Sequence, residues 1–190
     1  MTFSPKDPHE VLVKQIQEAL TALSWCVEPT GQGQFSATMQ ENLHNCWLPD
    51  GRPLPFRWLP DLLATRPPHA YFIDAKSSET WRQTGNHALE QNALAAALNW
   101  TAIWEMDVWY IFTDGSGTTA RQLAKPSAKW PGPQRGNGSG TPFWLFPVGL
   151  TTPWEQLPFT NSPSKPKLCP SPDLGTQIPA NFCLRHPTAN

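Results

Sequence analysis

The chain has 190 residues, 22 of them proline and 10 tryptophan, with 14 Lys and Arg set against 15 Asp and Glu. That length supports one domain with a substantial core and leaves little room for two. A net charge of −1 at only 15% charged residues excludes a global electrostatic pull toward nucleic acid, so any such contact must be local.

Cys26, Cys46, Cys169 and Cys183 form no CxxC pair, and Cys183-x-x-His186 lies in a Pro-rich stretch. They read as free thiols of a reducing compartment. The N-terminus carries no leader-like apolar run, and no stretch is long enough to span a bilayer. The expectation is a soluble, cytoplasmic protein with no membrane partner.

Residues 8–25 read as a helix. Leu12, Val13, Ile16, Ala19, Leu20 and Leu23 recur at steps of three and four and make one apolar stripe. Asp7 is a natural N-cap, Pro8 suits the first helical position, and Glu10 falls at the third, where a capping-box acid reaches back to the cap. Glu10 also borders the stripe beside Val13, whereas Glu18 points nearly opposite. Cys26-Val27-Glu28 reads as a strand, ended by Pro29 and Gly31-Gln32-Gly33. Residues 26–58 carry the weakest signal and suggest an inserted hairpin or short helix, with Pro49-Asp50-Gly51 as a turn. Arg52 and Arg57 flank this insert as candidate phosphate contacts.

Leu62-Leu63-Ala64 and Tyr71–Lys76 read as two short apolar strands joined by the turn Arg66-Pro67-Pro68-His69. A period of two sends Phe72, Asp74 and Lys76 to one face and Tyr71, Ile73 and Ala75 to the other. Pairing as a hairpin brings Asp61, which follows the break at Pro60, toward Asp74 and Lys76. Two carboxylates and an amine on a sheet make a hard-cation site with a positive charge beside it.

Asn86–Trp100 is rich in Ala and Leu and reads as a second helix, with His87, Gln91, Leu94 and Leu98 on one face. Val108–Phe112 has the unbroken apolar character of an interior strand, closed by Asp114-Gly115-Ser116-Gly117. Arg121 to Lys125 fits a short helix or a strand start. From Lys125 to Gly140, Lys129, Trp130 and Arg135 interleave with Pro and Gly, a pattern that fits a solvated loop with one packed Trp as well as a loop that straddles a phosphate backbone or stacks on an unpaired base. Phe143–Phe146 has proline on both sides and reads as an edge strand. Ser-Pro and Lys-Pro pairs then mark an extended tail. The expected organisation is one domain over residues 1–159 and a Pro-rich tail over 160–190.

Pro60-Asp61 followed by Asp74-Ala75-Lys76 resembles the signature of the PD-(D/E)XK nuclease superfamily, and the layout of residues 8–113 is similar to that of archaeal-type Holliday junction resolvases. The resemblance implies an α/β fold with a restriction-endonuclease-like αβββαβ core, a mixed central sheet flanked by helices, here with a Pro-rich C-terminal extension. It implies a DNA endonuclease that hydrolyses phosphodiester bonds with Mg²⁺, for which Mn²⁺ substitutes, leaving a 5′-phosphate and a 3′-hydroxyl. Asp61, Asp74 and Ala75 would hold the metal and Lys76 would act beside it. Glu10 would match the helix-one glutamate of resolvase-like nucleases, and Gln91 the glutamine that follows the D-x-K on a helix. DNA is the implied partner, structure-selective cleavage in recombination, repair or mobile-element biology the implied setting, and a homodimer is compatible. The chain departs from the pattern in its insert before Asp61, its low net charge, and an Asp at position 74 where Glu is commoner. The competing reading is a protein of the same scaffold that has lost cleavage and serves as a DNA- or protein-binding module. That Asp61, Asp74 and Lys76 are all present favours the nuclease.

Overall fold

The computed structural model describes residues 7–77, 85–125, 133–135 and 142–160. Lys129 and Trp130 of the basic stretch, and the tail from residue 161 with Cys169, Cys183 and His186, lie outside the described residues.

Helix α1 (Pro8–Ala22) buries Leu12, Ile16 and Leu20, the heart of the expected stripe. Its cap is simpler than a capping box: the Asp7 side chain accepts the His9 N–H at 2.9 Å, and Glu10 is left exposed. The helix stops three residues short of the expected end at residue 25. Ser24 takes the left-handed conformation (φ 64°), with its N–H on the Thr21 carbonyl and the Trp25 N–H on the Leu20 carbonyl. This is a Schellman ending built without glycine, which is why nothing in the sequence marks it.

β1 (Cys26–Pro29) follows, then an insert holding helix α2 (Ala37–Asn45), capped by the Ser36 side chain. Pro49-Asp50-Gly51 is the expected turn: Gly51 has φ 79°, and its N–H donates to the Leu48 carbonyl. β2 (Leu62–Arg66) and β3 (His69–Lys76) form the expected hairpin, antiparallel with Leu62 opposite Ile73.

β4 (Asn86–Glu90) overturns the expected start of the second helix. Its good helix formers are overridden by pairing with a late strand, and the alternation that buries His87 and Leu89 has a period of two. Helix α3 (Gln91–Trp104) begins only then. β5 (Val108–Phe112) is buried at every residue, as an interior strand covered on both faces must be. Asp114-Gly115 turns the chain into β6 (Ser116–Thr119), a strand of small residues that begins inside the expected closing turn. A single turn of helix, α4 (Ala120–Leu123), ends this unit with a Thr119–Gln122 capping box.

β7 (Pro133–Arg135), β8 (Pro142–Pro147) and β9 (Thr152–Pro153) complete the set. β8 is the middle strand of a three-stranded sheet, β4-β8-β7, and not the expected edge. Its prolines occupy only its two ends, where a missing N–H costs at most a terminal ladder bond.

The main sheet runs β1-β2-β3-β5-β6-β9, all neighbours antiparallel except β3 and β5, which are parallel and connected through β4 and α3. The αβββαβ order is thus present as α1-β1-β2-β3-α3-β5, a mixed central sheet flanked by helices. α1 covers one face, where Leu12, Ile16 and Leu20 meet Leu62, Ile73 and Ile111. α3 covers the other, where Ala93, Ala97 and Trp100 meet Phe72 and Tyr110. The α1 face is closed by Phe159, whose carbonyl accepts the Trp25 indole N–H at 2.8 Å. No helix among the described residues is long and apolar enough to cross a membrane.

Candidate active site

The β2–β3 register decides where the acids meet. The ladder ends at the Leu62–Ile73 pair, and Asp61, the next residue out, comes close enough to Asp74 for its charge to act on that carboxyl. Asp74 and Lys76 leave β3 on the α3 face, and Lys76 Nζ lies 2.7 Å from Asp74 Oδ1 and 5.5 Å from the centre of the Tyr110 ring. Burial pushes the Asp74 carboxyl up to about 6; the like charge of Asp61 adds to the rise, and the positive charge of Lys76 opposes it. The ring of Tyr110, directly across in β5, forms part of the dry wall behind Asp74.

Asp61 is held on all sides. Its Oδ2 accepts the Ala75 N–H at 2.8 Å. Its carbonyl accepts the N–H groups of Thr30 (2.8 Å) and Gly31 (3.2 Å), and the Thr30 hydroxyl donates to the Pro60 carbonyl at 2.7 Å. Asp61 Oδ1 meets His9 Nε2 at 3.2 Å. That hydrogen bond raises the His9 pKa, with burial working against it and the charges of Asp61 and Asp74 in favour.

Sequence reasoning missed His9. A signal was available, since 9, 12, 16 and 20 continue the buried line of α1 at steps of three and four, which turns the imidazole toward the sheet. Glu10 lies farther round the helix, exposed, on a groove of about 570 Å³ that it lines with Asp7, His9, Lys14, Gly31 and Asp61. Gln91 opens α3, half-buried, just after Glu90, whose side chain accepts the Trp58 indole N–H at 3.2 Å. The expected phosphate contacts are otherwise engaged: Arg52 pairs with Asp50 at 2.6 Å, and Arg57 donates to the carbonyls of Leu43 and Cys46.

Two carboxylates suit a hard cation that keeps several waters and takes further ligands from substrate phosphate, as Mg²⁺ does. Among the described residues, no group of three or more His, Cys, Asp or Glu side chains converges to hold a metal ion. A protein cage is therefore not what the site offers. The buried Asp74 carboxyl beside Asp61 fits such a group, since a bound cation would offset the negative charge that burial disfavours there.

A second polar cluster, Ser116, His87 and Asp114, does not make a nucleophilic triad. Ser116 Oγ and Asp114 Oδ2 both lie 3.3 Å from the same ring nitrogen, His87 Nε2, while Nδ1 is buried without a partner among the described residues. A relay needs the acid on one nitrogen and the serine on the other. His87 instead stacks on Phe112, 3.9 Å between ring centres, as a core residue.

No protein-family model and no curated protein matches the chain. Among solved structures, it is similar to the Hjc Holliday junction resolvase of Archaeoglobus fulgidus, with a TM-score of 0.45 and 8% identity over 74% of this chain and 89% of that one. It is also similar to D212, a nuclease from a fusselovirus, with a TM-score of 0.45 and 11% identity over 80% of this chain and 90% of that one.

Proposed function

We propose that the protein is a metal-dependent DNA endonuclease of the PD-(D/E)XK type, its active site formed by Asp61, Asp74 and Lys76. The observation that carries the reading is the juxtaposition of Asp61 and Asp74 at the end of the β2–β3 ladder, with the Lys76 amine 2.7 Å from Asp74. Asp61, Asp74 and the Ala75 carbonyl would hold Mg²⁺, or Mn²⁺ in its place. A bound cation would lower the pKa of a coordinated water and neutralise charge building on the scissile phosphate.

The chain's own residues do the rest. The Ala75 amide fixes the Asp61 carboxylate, and the Thr30 and Gly31 amides fix the main-chain carbonyl behind it, so that the acid need not reorganise as the reaction proceeds. Lys76, on the face shared with Asp74, orients the attacking water and meets the negative charge of the pentavalent phosphorus. His9 braces Asp61 from α1. Glu10, on the adjoining groove, would steady a second cation or its water, and Gln91 would approach from α3. DNA is the substrate in this reading, branched DNA a candidate for the preferred form, and the enzyme is a cytoplasmic protein that functions alone or as a homodimer. The domain is residues 1–159, with 160–190 as an appended tail.

The test is incubation of the purified protein with branched, single-stranded and linear duplex DNA, in Mg²⁺ or in EDTA. Cleavage in Mg²⁺ alone, ending in 5′-phosphates, is the expected result. Binding without cleavage in either condition would favour the non-catalytic binding module.

A further inference from the structure

Gly31 stands where a side chain does not fit. Its backbone is extended, φ −65° and ψ 170°, a conformation open to any residue, so the position does not ask for glycine's conformational freedom. It asks for space. A Cβ built on Gly31 would lie 2.9 Å from Asp61 Oδ1 and 3.0 Å from Asp61 Cα. The second of these is a main-chain atom that no rotamer change can remove. A methyl group at 31 must therefore shift Asp61 itself. Two residues on, a Cβ at Gly33 would have nothing within 4 Å.

The same closeness is what lets the loop hold the acid. The Thr30 and Gly31 amides both reach the Asp61 carbonyl, and the Thr30 hydroxyl reaches Pro60. On the far side, the Ala75 amide takes Oδ2. Asp61 is gripped between β3 and a loop that has no side chain to spare at the point of contact.

We infer that Gly31 is a positioning residue for the cation site, and that its missing side chain sets where the Asp61 carboxylate stands. The inference rests on the reading of Asp61 as a cation ligand. Metal–oxygen distances tolerate shifts of only a few tenths of an ångström, and residues that support ligands typically contribute about 10- to 100-fold to affinity.

The experiment compares wild type, Gly31→Ala, Gly33→Ala and Asp61→Asn by calorimetric titration with Mn²⁺, and follows the Ala75 amide proton resonance in metal-free protein. Gly31→Ala should bind Mn²⁺ about 10- to 100-fold more weakly and move the Ala75 resonance, while Gly33→Ala does neither. Should Gly31→Ala not fold, Thr30→Val takes its place: it keeps the shape, drops the hydroxyl donor, and should weaken binding roughly 3- to 10-fold. Wild-type affinity in Gly31→Ala alongside a weakened Asp61→Asn overturns the role of Gly31 alone, and wild-type affinity in Thr30→Val overturns the hold of the Thr30-Gly31 loop on the acid, on which that role depends. Equal binding by wild type and Asp61→Asn overturns the cation reading instead. In that case an unmoved Ala75 resonance in Gly31→Ala would show that the glycine does not hold the carboxylate either.

Discussion

Asp61 reaches along the end of the β2–β3 ladder so that its Oδ2 accepts the main-chain N–H of Ala75, 2.8 Å away. Ala75 lies between Asp74 and Lys76, so one hydrogen bond ties the first acid of the site to the strand that carries the other two groups. The ladder itself ends at the Leu62–Ile73 pair, and the Pro60 carbonyl before it accepts the Thr30 hydroxyl. A carboxylate therefore supplies an acceptor where the ladder gives way to a loop.

Asp74 should cost the metal-free protein stability at neutral pH. Its folded-state pKa is raised from 3.8 to about 6, so the folded state holds the proton more tightly than the unfolded chain does. Stability then falls as pH rises from about 4 to about 6, and the loss persists above that. Asp74→Asn removes this slope and should gain on the order of 1–3 kcal/mol at pH 7, less what Lys76 loses with its partner. Denaturant melts at pH 4 and pH 7 in EDTA measure both. The same variant, and Lys76→Ala, should lose cleavage altogether; wild-type turnover in either would contradict the proposed mechanism.

Glu10 and His9 divide the first turn of α1, and substitution separates them. Glu10→Gln should leave stability nearly unchanged, because the residue is exposed and the cap is made by Asp7. Cleavage should fall and require more Mg²⁺ if Glu10 steadies a cation or its water. A Mg²⁺ titration that overlays the wild type would assign Glu10 to solvent and leave His9 as the contribution of α1.

His87 should make the protein acid-sensitive. Burial lowers its pKa below 6.5, and the partial opposition of Asp114 does not restore it. A depressed histidine is stable while neutral, so its contribution is present above 6.5 and lost as pH falls through the folded-state value. His87→Leu should flatten that acid limb whatever it does to stability at pH 7. This slope runs opposite to that of Asp74, so the two variants must be titrated separately. An unchanged acid limb in His87→Leu would place the sensitivity elsewhere.

Truncation should locate the end of the domain. Ending the chain at residue 160 removes only the Pro-rich stretch and should leave the melting temperature and activity close to those of the full chain. Ending it at Gln156 removes Leu157 and Phe159, both fully buried. Core losses of that kind cost about 2–5 kcal/mol each. A large drop on the first truncation would show that the tail is docked.

The proposed trio of Asp61, Asp74 and Lys76 was legible as a cluster because each part has a strong local signature. Pro60 breaks the chain before Asp61, and strict alternation in β3 sends Asp74 and Lys76 to one face. What stayed hidden depended on partners distant in sequence. Asn86–Glu90 has the composition of a helix and becomes a strand only because residues 143–147 lie beside it. Ser116–Thr119 has no large apolar residue to announce a strand, and pairing with β5 makes it one. Gly31 could be seen as a flexible link but not as a neighbour of Asp61, thirty positions later. His9 sat beside the more conspicuous Glu10, although its place on the buried line of α1 was readable.

The bond from Trp25 to Phe159 joins positions 134 residues apart. During synthesis, Trp25 leaves the ribosome first, and at about 5–20 residues per second its partner follows roughly 7 to 27 s later. For that interval, Tyr71 and Trp109 lack the ring that packs against them both, and the Trp25 indole lacks its acceptor. A nascent chain stalled short of residue 159 would display these aromatics as an open apolar surface, of the kind on which chaperones act.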